Sequence, residues 1–66
     1  MPKSTHPGPA LRRARRALEL RIRDLAAVIG RSVPYLCRIE HAQRPIPPHE
    51  VTALREHLAR LRKERA

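Results

Sequence analysis

Apolar residues return along this chain every three or four positions, in four separate blocks. Leu11, Ala14 and Leu18 form the first, Leu25, Ala26 and Ile29 the second, and Leu36 with Ile39 the third. Val51, Leu54, Leu58 and Leu61 form the fourth and longest. Residues three and four apart sit one above another on a helix, so each block predicts a helix with one apolar face.

The residues between the blocks place the ends. Gly8 and Pro9 suit the N-cap and first position of a first helix. Arg21 is a poor cap for the second, and Asp24 in its first turn offsets this by favouring the positive end of the helix dipole. Gly30 can take the left-handed conformation that stops that helix. In "GRSVPYLCRIE", Ser32 caps a third helix with Val33 and Pro34 in its first turn. There a missing N–H is no loss, and the Ser32 hydroxyl is left to cap the N–H of Tyr35. "HAQRPIPP", residues 41–48, is an extended connection to a helix that begins at Pro48. The prediction is an all-α, compact four-helix domain with helices at about 9–18, 22–29, 33–40 and 48–61. Residues 1–8 read as a flexible N-terminal arm, 9–61 as the domain, and 62–66 as a charged tail that frays.

Composition narrows this further. With 66 residues, no Phe, no Trp and one Tyr, the core must be small and aliphatic. A chain of this size buries only about 60% of its unfolded surface, so its stability is marginal. One cysteine excludes an internal disulfide. The longest apolar run, Ala26 to Ile29, is far too short to span a membrane, and the N-terminus lacks a signal-peptide layout. A cytoplasmic, nucleoid-associated protein is expected. The net charge of +9, fifteen Lys and Arg against six acids, favours a polyanionic partner, nucleic acid before a membrane surface.

At 100° per residue the third helix turns Leu36, Ile39 and Glu40 inward. Pro34, Arg38 and His41 face outward, with Tyr35 and Cys37 on the flanks. Two short helices joined by a tight turn at Gly30, the second with a basic outer face, describe a helix-turn-helix. The stretch "LRRARRALELRIRDLAAVIGRSVPYLCRIEHAQR" resembles the lambda-repressor/Cro-like, XRE-like family. The register is carried by Leu25-Ala26, Ile29-Gly30, Ser32 and Tyr35 through Glu40, and the likeness covers about residues 11–58. The resemblance implies that the third helix lies in the DNA major groove and that two subunits read half-sites one helical turn apart. It also implies a structural ion pair between Arg15 and Glu40, in keeping with the inward position of Glu40. Glu19 and Ala42 stand where the family has glycine, which leaves the local form of both turns open. Arg21 replaces the usual Ser or Thr cap, and Ile22 a phosphate-binding Gln. A fifth helix, the family's usual dimer contact, is not expected.

Candidate roles follow. Arg38 can donate two bonds to guanine O6 and N7, or instead meet a phosphate or solvent. Val33 and Pro34 either pack on a thymine methyl or simply begin the helix. Arg21, Arg31, Ser32, Tyr35, Gln43 and Arg44 are the phosphate candidates. Ile46, Leu58 and Leu61 are the dimer candidates, unless the fourth helix is fully used in covering the others. Cys37 and His41 are four apart, but two ligands are too few for zinc, so neither metal nor cofactor is expected. No paired carboxylates, phosphate loop or nucleophile–base motif occurs, so the sequence does not read as an enzyme.

The expected partners are double-stranded DNA and a second copy, as in a phage or prophage repressor or Cro-like regulator. The alternative is an antitoxin or restriction-control autoregulator whose fourth helix also binds a protein partner. A cationic membrane-active peptide is a third reading, opposed by the helix caps and the Gly30 turn.

Overall fold

Proline stands in the first turn of three of the four helices. A computed structural model describes residues 6–65 and contains α1 (Pro7–Ala17), α2 (Ile22–Val28), α3 (Val33–Glu40) and α4 (Pro48–Arg65). Pro7, Pro34 and Pro48 each occupy a position whose N–H has no intrahelical acceptor, so each fixes φ for helix without losing a bond.

Helix α1 starts two residues before the expected Pro9. Its N-cap is His6, whose Nδ1 accepts the Gly8 N–H at 2.9 Å. Gly8 is thus inside the first turn and buried. A Cβ there would lie 1.8 Å from the Ile39 carbonyl oxygen, so the start of α1 runs directly against the backbone of α3. The arm expected over residues 1–8 lies outside the described residues as far as Thr5, and its last three residues form this cap and first turn. At the other end the expected frayed tail is helical to Arg65, with Ala66 outside the described residues.

Three helices end in the same way. After α1, the N–H groups of Glu19 and Leu20 bond back to Arg16 and Arg15 carbonyls at 3.0 and 3.1 Å. After α2, Gly30 and Arg31 do the same to Ala27 and Ala26 at 3.2 and 2.9 Å, and after α3, Ala42 and Gln43 to Ile39 and Arg38 at 2.9 and 2.7 Å. These are Schellman motifs, which require a left-handed residue. Glu19, Gly30 and Ala42 supply it, with φ of 58°, 66° and 59°. Both non-glycine turns therefore keep the glycine form.

The core takes Leu11 from α1, Leu25 and Ala26 from α2, Leu36 and Ile39 from α3, and Leu54 and Leu58 from α4. Helices α1 and α2 each pack against both α3 and α4. Leu58, one of the three dimer candidates, is 4% exposed and spends most of its surface in this core, leaving little for a second copy. Ile46 is half-buried against the same cluster, and Leu61 is half-buried. Along α4 the buried positions are Glu50, Leu54 and Leu58, four apart, while Val51 is only half-buried.

Glycine exchanges test the backbone account. Glu19→Gly and Ala42→Gly should each raise stability by about 1 kcal/mol, the order of the left-handed penalty, seen as a higher thermal midpoint. Gly8→Ala should instead lower it sharply, because the methyl group meets main chain.

Candidate nucleic-acid interface

The third helix is held from within by a buried ion pair. The Arg15 Nε and one Nη donate to the two Glu40 carboxylate oxygens at 2.8 and 3.0 Å. The other Nη donates to the Leu20 carbonyl at 2.9 Å. The Glu40 side chain is 1% exposed and that of Arg15 14%. One guanidinium thus joins the end of α1, the turn after it and the last residue of α3.

The start of α3 is held from α4. The Tyr35 hydroxyl donates to Glu50 Oε1 at 2.7 Å, and Arg31 Nε donates to Glu50 Oε2 at 3.0 Å. The guanidinium carbons of Arg31 and Arg44 each lie 4.6 Å from the Tyr35 ring centroid, close enough for cation–π attraction. The His6 Nδ1 accepts the Gly8 N–H, so its Nε2 carries the proton, which it donates to the Arg44 carbonyl at 2.8 Å. Sequence reasoning missed Glu50. The signal was its place four and eight residues before Leu54 and Leu58, the reasoning that turned Glu40 inward.

Burial pushes the Glu50 carboxyl up, but the hydrogen bonds from Tyr35 and Arg31 more than offset this and hold it below its ordinary value. The bond to Glu50, followed by burial, pushes the Tyr35 hydroxyl up. The bond to Glu50, with the charges of Tyr35 and Glu50, pushes Arg31 up.

The outward side of α3 is free. Val33, Pro34 and Arg38 are exposed, and the Arg38 side chain has no hydrogen-bond or ion-pair partner among the described residues. Val33, 40% exposed, is one of two large aliphatic residues left in solvent among the described residues. Arg21, Arg31, Ser32, Gln43 and Arg44 are exposed around it. The Ser32 Oγ accepts the Tyr35 N–H at 3.3 Å, which leaves its own proton for another acceptor. Tyr35 differs from expectation: its hydroxyl is already committed to Glu50, so it is not a free phosphate donor. Arg21 caps α2 through its backbone alone, its N–H donating to Asp24 Oδ2 at 3.2 Å, because an arginine side chain has no acceptor to offer in return. Cys37 Sγ is 3.8 Å from His41 Nδ1, and no three metal-binding side chains gather among the described residues.

Helices α2 and α3, joined through the Gly30 turn with α3 exposed along one side, define a helix-turn-helix protein. A family model described as a helix-turn-helix domain matches residues 8–66, and the chain belongs to that family. Domains of this class bind DNA and are typically not enzymes. No curated protein and no solved structure matches the chain. No helix among the described residues is long and apolar enough to cross a membrane.

Two outcomes test the supports of α3. Glu40→Ala leaves Arg15 buried and unpaired and should cost about 3–5 kcal/mol, whereas the double change Arg15→Met with Glu40→Leu should cost far less, both read from urea melts. The lowered Glu50 makes a second, pH-dependent contribution. A depressed carboxyl stabilises the fold above its unfolded value of about 4.3, and that stability is lost as pH falls through the folded value. Glu50→Gln should therefore flatten the acid limb of stability against pH. Raised Tyr35 acts oppositely, its contribution full below about 10 and lost as pH rises through the folded value.

Proposed function

We propose that this protein is a sequence-specific transcriptional regulator that binds double-stranded DNA with α3 in the major groove. The observation that carries this is the outer side of α3, where Val33, Pro34 and Arg38 stand exposed on a helix anchored from behind at both ends. Arg38 is the base reader, its fork matched to guanine O6 and N7. Val33 and Pro34 meet a thymine methyl at the helix tip. Arg21, Arg31, Ser32, Gln43 and Arg44 contact phosphates and fix the register.

Eight residues of α3 span about 12 Å, too little to read a long site. A dimer on a palindromic operator solves this, with Ile46 and Leu61 as the remaining apolar contacts. Steric occupation of an operator, as by a phage or prophage repressor or a Cro-like protein, needs no cofactor and no catalytic group. The protein acts in the cytoplasm, at the nucleoid.

One observation favours the second reading, an autoregulator with a protein partner. Between α1 and α4 lies an open groove of about 260 Å³, floored by Ala10, Leu11, Ala14, Leu58 and Ala59 and edged by Arg55 and Arg62. That is below the roughly 300–1,000 Å³ of small-molecule sites, and suits a partner's side chain better than an effector.

Selection from random duplex fragments, sequenced, tests the sequence-specific reading. A palindromic motif is expected, and Arg38→Ala should relax one position in each half-site at a cost of about 1–3 kcal/mol. Affinity that only tracks salt, with no motif, would sink the sequence-specific reading.

A further inference from the structure

The cluster at the start of α3 contains more than a phosphate contact needs. Tyr35 is half-buried, its hydroxyl tied to a carboxylate only 4% exposed, and two exposed arginines lie over its ring. Arg31 precedes α3 and Arg44 follows it, so the ring brings together cations thirteen positions apart on either side of the helix. Free arginine side chains are mobile and repel one another. Ordering each on binding costs rotamer freedom. Here that ordering is done before any ligand arrives. Arg31 is fixed through Nε alone, and its two Nη groups make no hydrogen bond among the described residues. Arg44 is fixed from both ends, by the ring under its guanidinium and by His6 on its carbonyl. Residues from the α1 cap, α3 and α4 thus converge on two cations whose Nη groups make no hydrogen bond among the described residues.

We propose that Tyr35, buttressed by the buried Glu50, is a positioning residue that holds Arg31 and Arg44 together as a preformed clamp for adjacent phosphates of the DNA backbone. This rests on the reading that the protein binds duplex DNA. The clamp sets affinity and its salt dependence and leaves base preference to Arg38, Val33 and Pro34, because phosphate contacts carry no sequence information of their own.

Glu50 separates this role from simple electrostatics. Glu50→Gln removes a negative charge and raises the net charge by one, so electrostatics alone makes DNA binding tighter. Loss of positioning makes it weaker.

The experiment measures affinity of the full chain for a selected duplex across a salt series, each variant first shown folded by circular dichroism at the working temperature. Arg31→Ala and Arg44→Ala should each reduce the slope of log affinity against log salt by about 0.9. Tyr35→Ala should lose roughly tenfold in affinity and part of both slopes with an unchanged sequence preference, the tenfold being about one ordered contact pair. Tyr35→Phe, which keeps the ring but frees Glu50, should fall between, and Glu50→Gln should bind more weakly than wild type. In the Tyr35→Ala background, Arg44→Ala should cost less than it does in wild type, because part of that arginine's contribution comes through the ring. Wild-type affinity and slope in folded Tyr35→Ala, or tighter binding by Glu50→Gln, overturns the clamp and leaves the DNA-binding reading intact. Failure of wild type to bind any duplex overturns both.

Discussion

Arg15 and Glu40 form the contact on which the placement of the outer face of α3 depends. The buried core around them is made of leucine, isoleucine and alanine, and Tyr35, the chain's one aromatic residue, packs only at its edge. Aliphatic burial is strong but non-directional, and it tolerates a helix turned slightly about its own axis. A guanidinium with two N–H groups on the two oxygens of one carboxylate is directional. Because Arg15 also takes the Leu20 carbonyl, a rotation of α3 pulls on the α1–α2 turn as well. At the opposite end Glu50 does the same through Tyr35 and Arg31. Two buried carboxylates, one near each end of an eight-residue helix, fix which side faces outward.

Side chains that donate to backbone carbonyls support two turns that lack glycine. Glu19 and Ala42 sit in a conformation that costs a residue with a Cβ on the order of 1 kcal/mol. Each turn is tied down by a side chain from a distant element. The Leu18 and Leu20 carbonyls flanking Glu19 accept from Arg65 and Arg15, and the Arg44 carbonyl two residues after Ala42 accepts from His6. Strained turns persist where their surroundings over-determine them. The turn at Gly30, where strain is absent, has no such bond to its flanking carbonyls among the described residues.

The central pair of helices was legible in the sequence because local signals agreed with one another. Ser32, Pro34 and Gly30 mark ends by their own backbone chemistry, and Leu25, Leu36 and Ile39 mark the inner side. The start of α1 was not legible, since histidine is seldom weighed as a cap and its ring nitrogen serves here only in one tautomer. The end of α4 lies beyond the apolar stripe and inside the charged segment, because Arg62, Lys63 and Arg65 suit the negative end of a helix dipole. Glu50 was hidden by its type. A carboxylate at the head of an apolar stripe looks like solvent-facing polarity until a tyrosine and an arginine from elsewhere in the fold are seen to meet it. Leu58 shows the reverse limit, since a helix pattern cannot say whether an apolar side chain faces its own core or another molecule.

Net charge and helix geometry divide the proposed task between them. A charge of +9 draws any duplex, whatever its sequence, and in a domain this small it also repels itself. The fold removes little of that repulsion, because its ion pairs among the described residues engage only Arg15 and Arg31. Phosphates are the natural counter-charge, and their binding stabilises a marginal fold by mass action. Discrimination between sequences cannot come from that term, which is the same at every site. It must come from the few outward groups whose position the interior controls, and in this chain those are the tip and middle of α3. On the proposed reading the two buried carboxylates act on recognition without touching DNA: they fix where Arg38 stands when the field has already brought the duplex close.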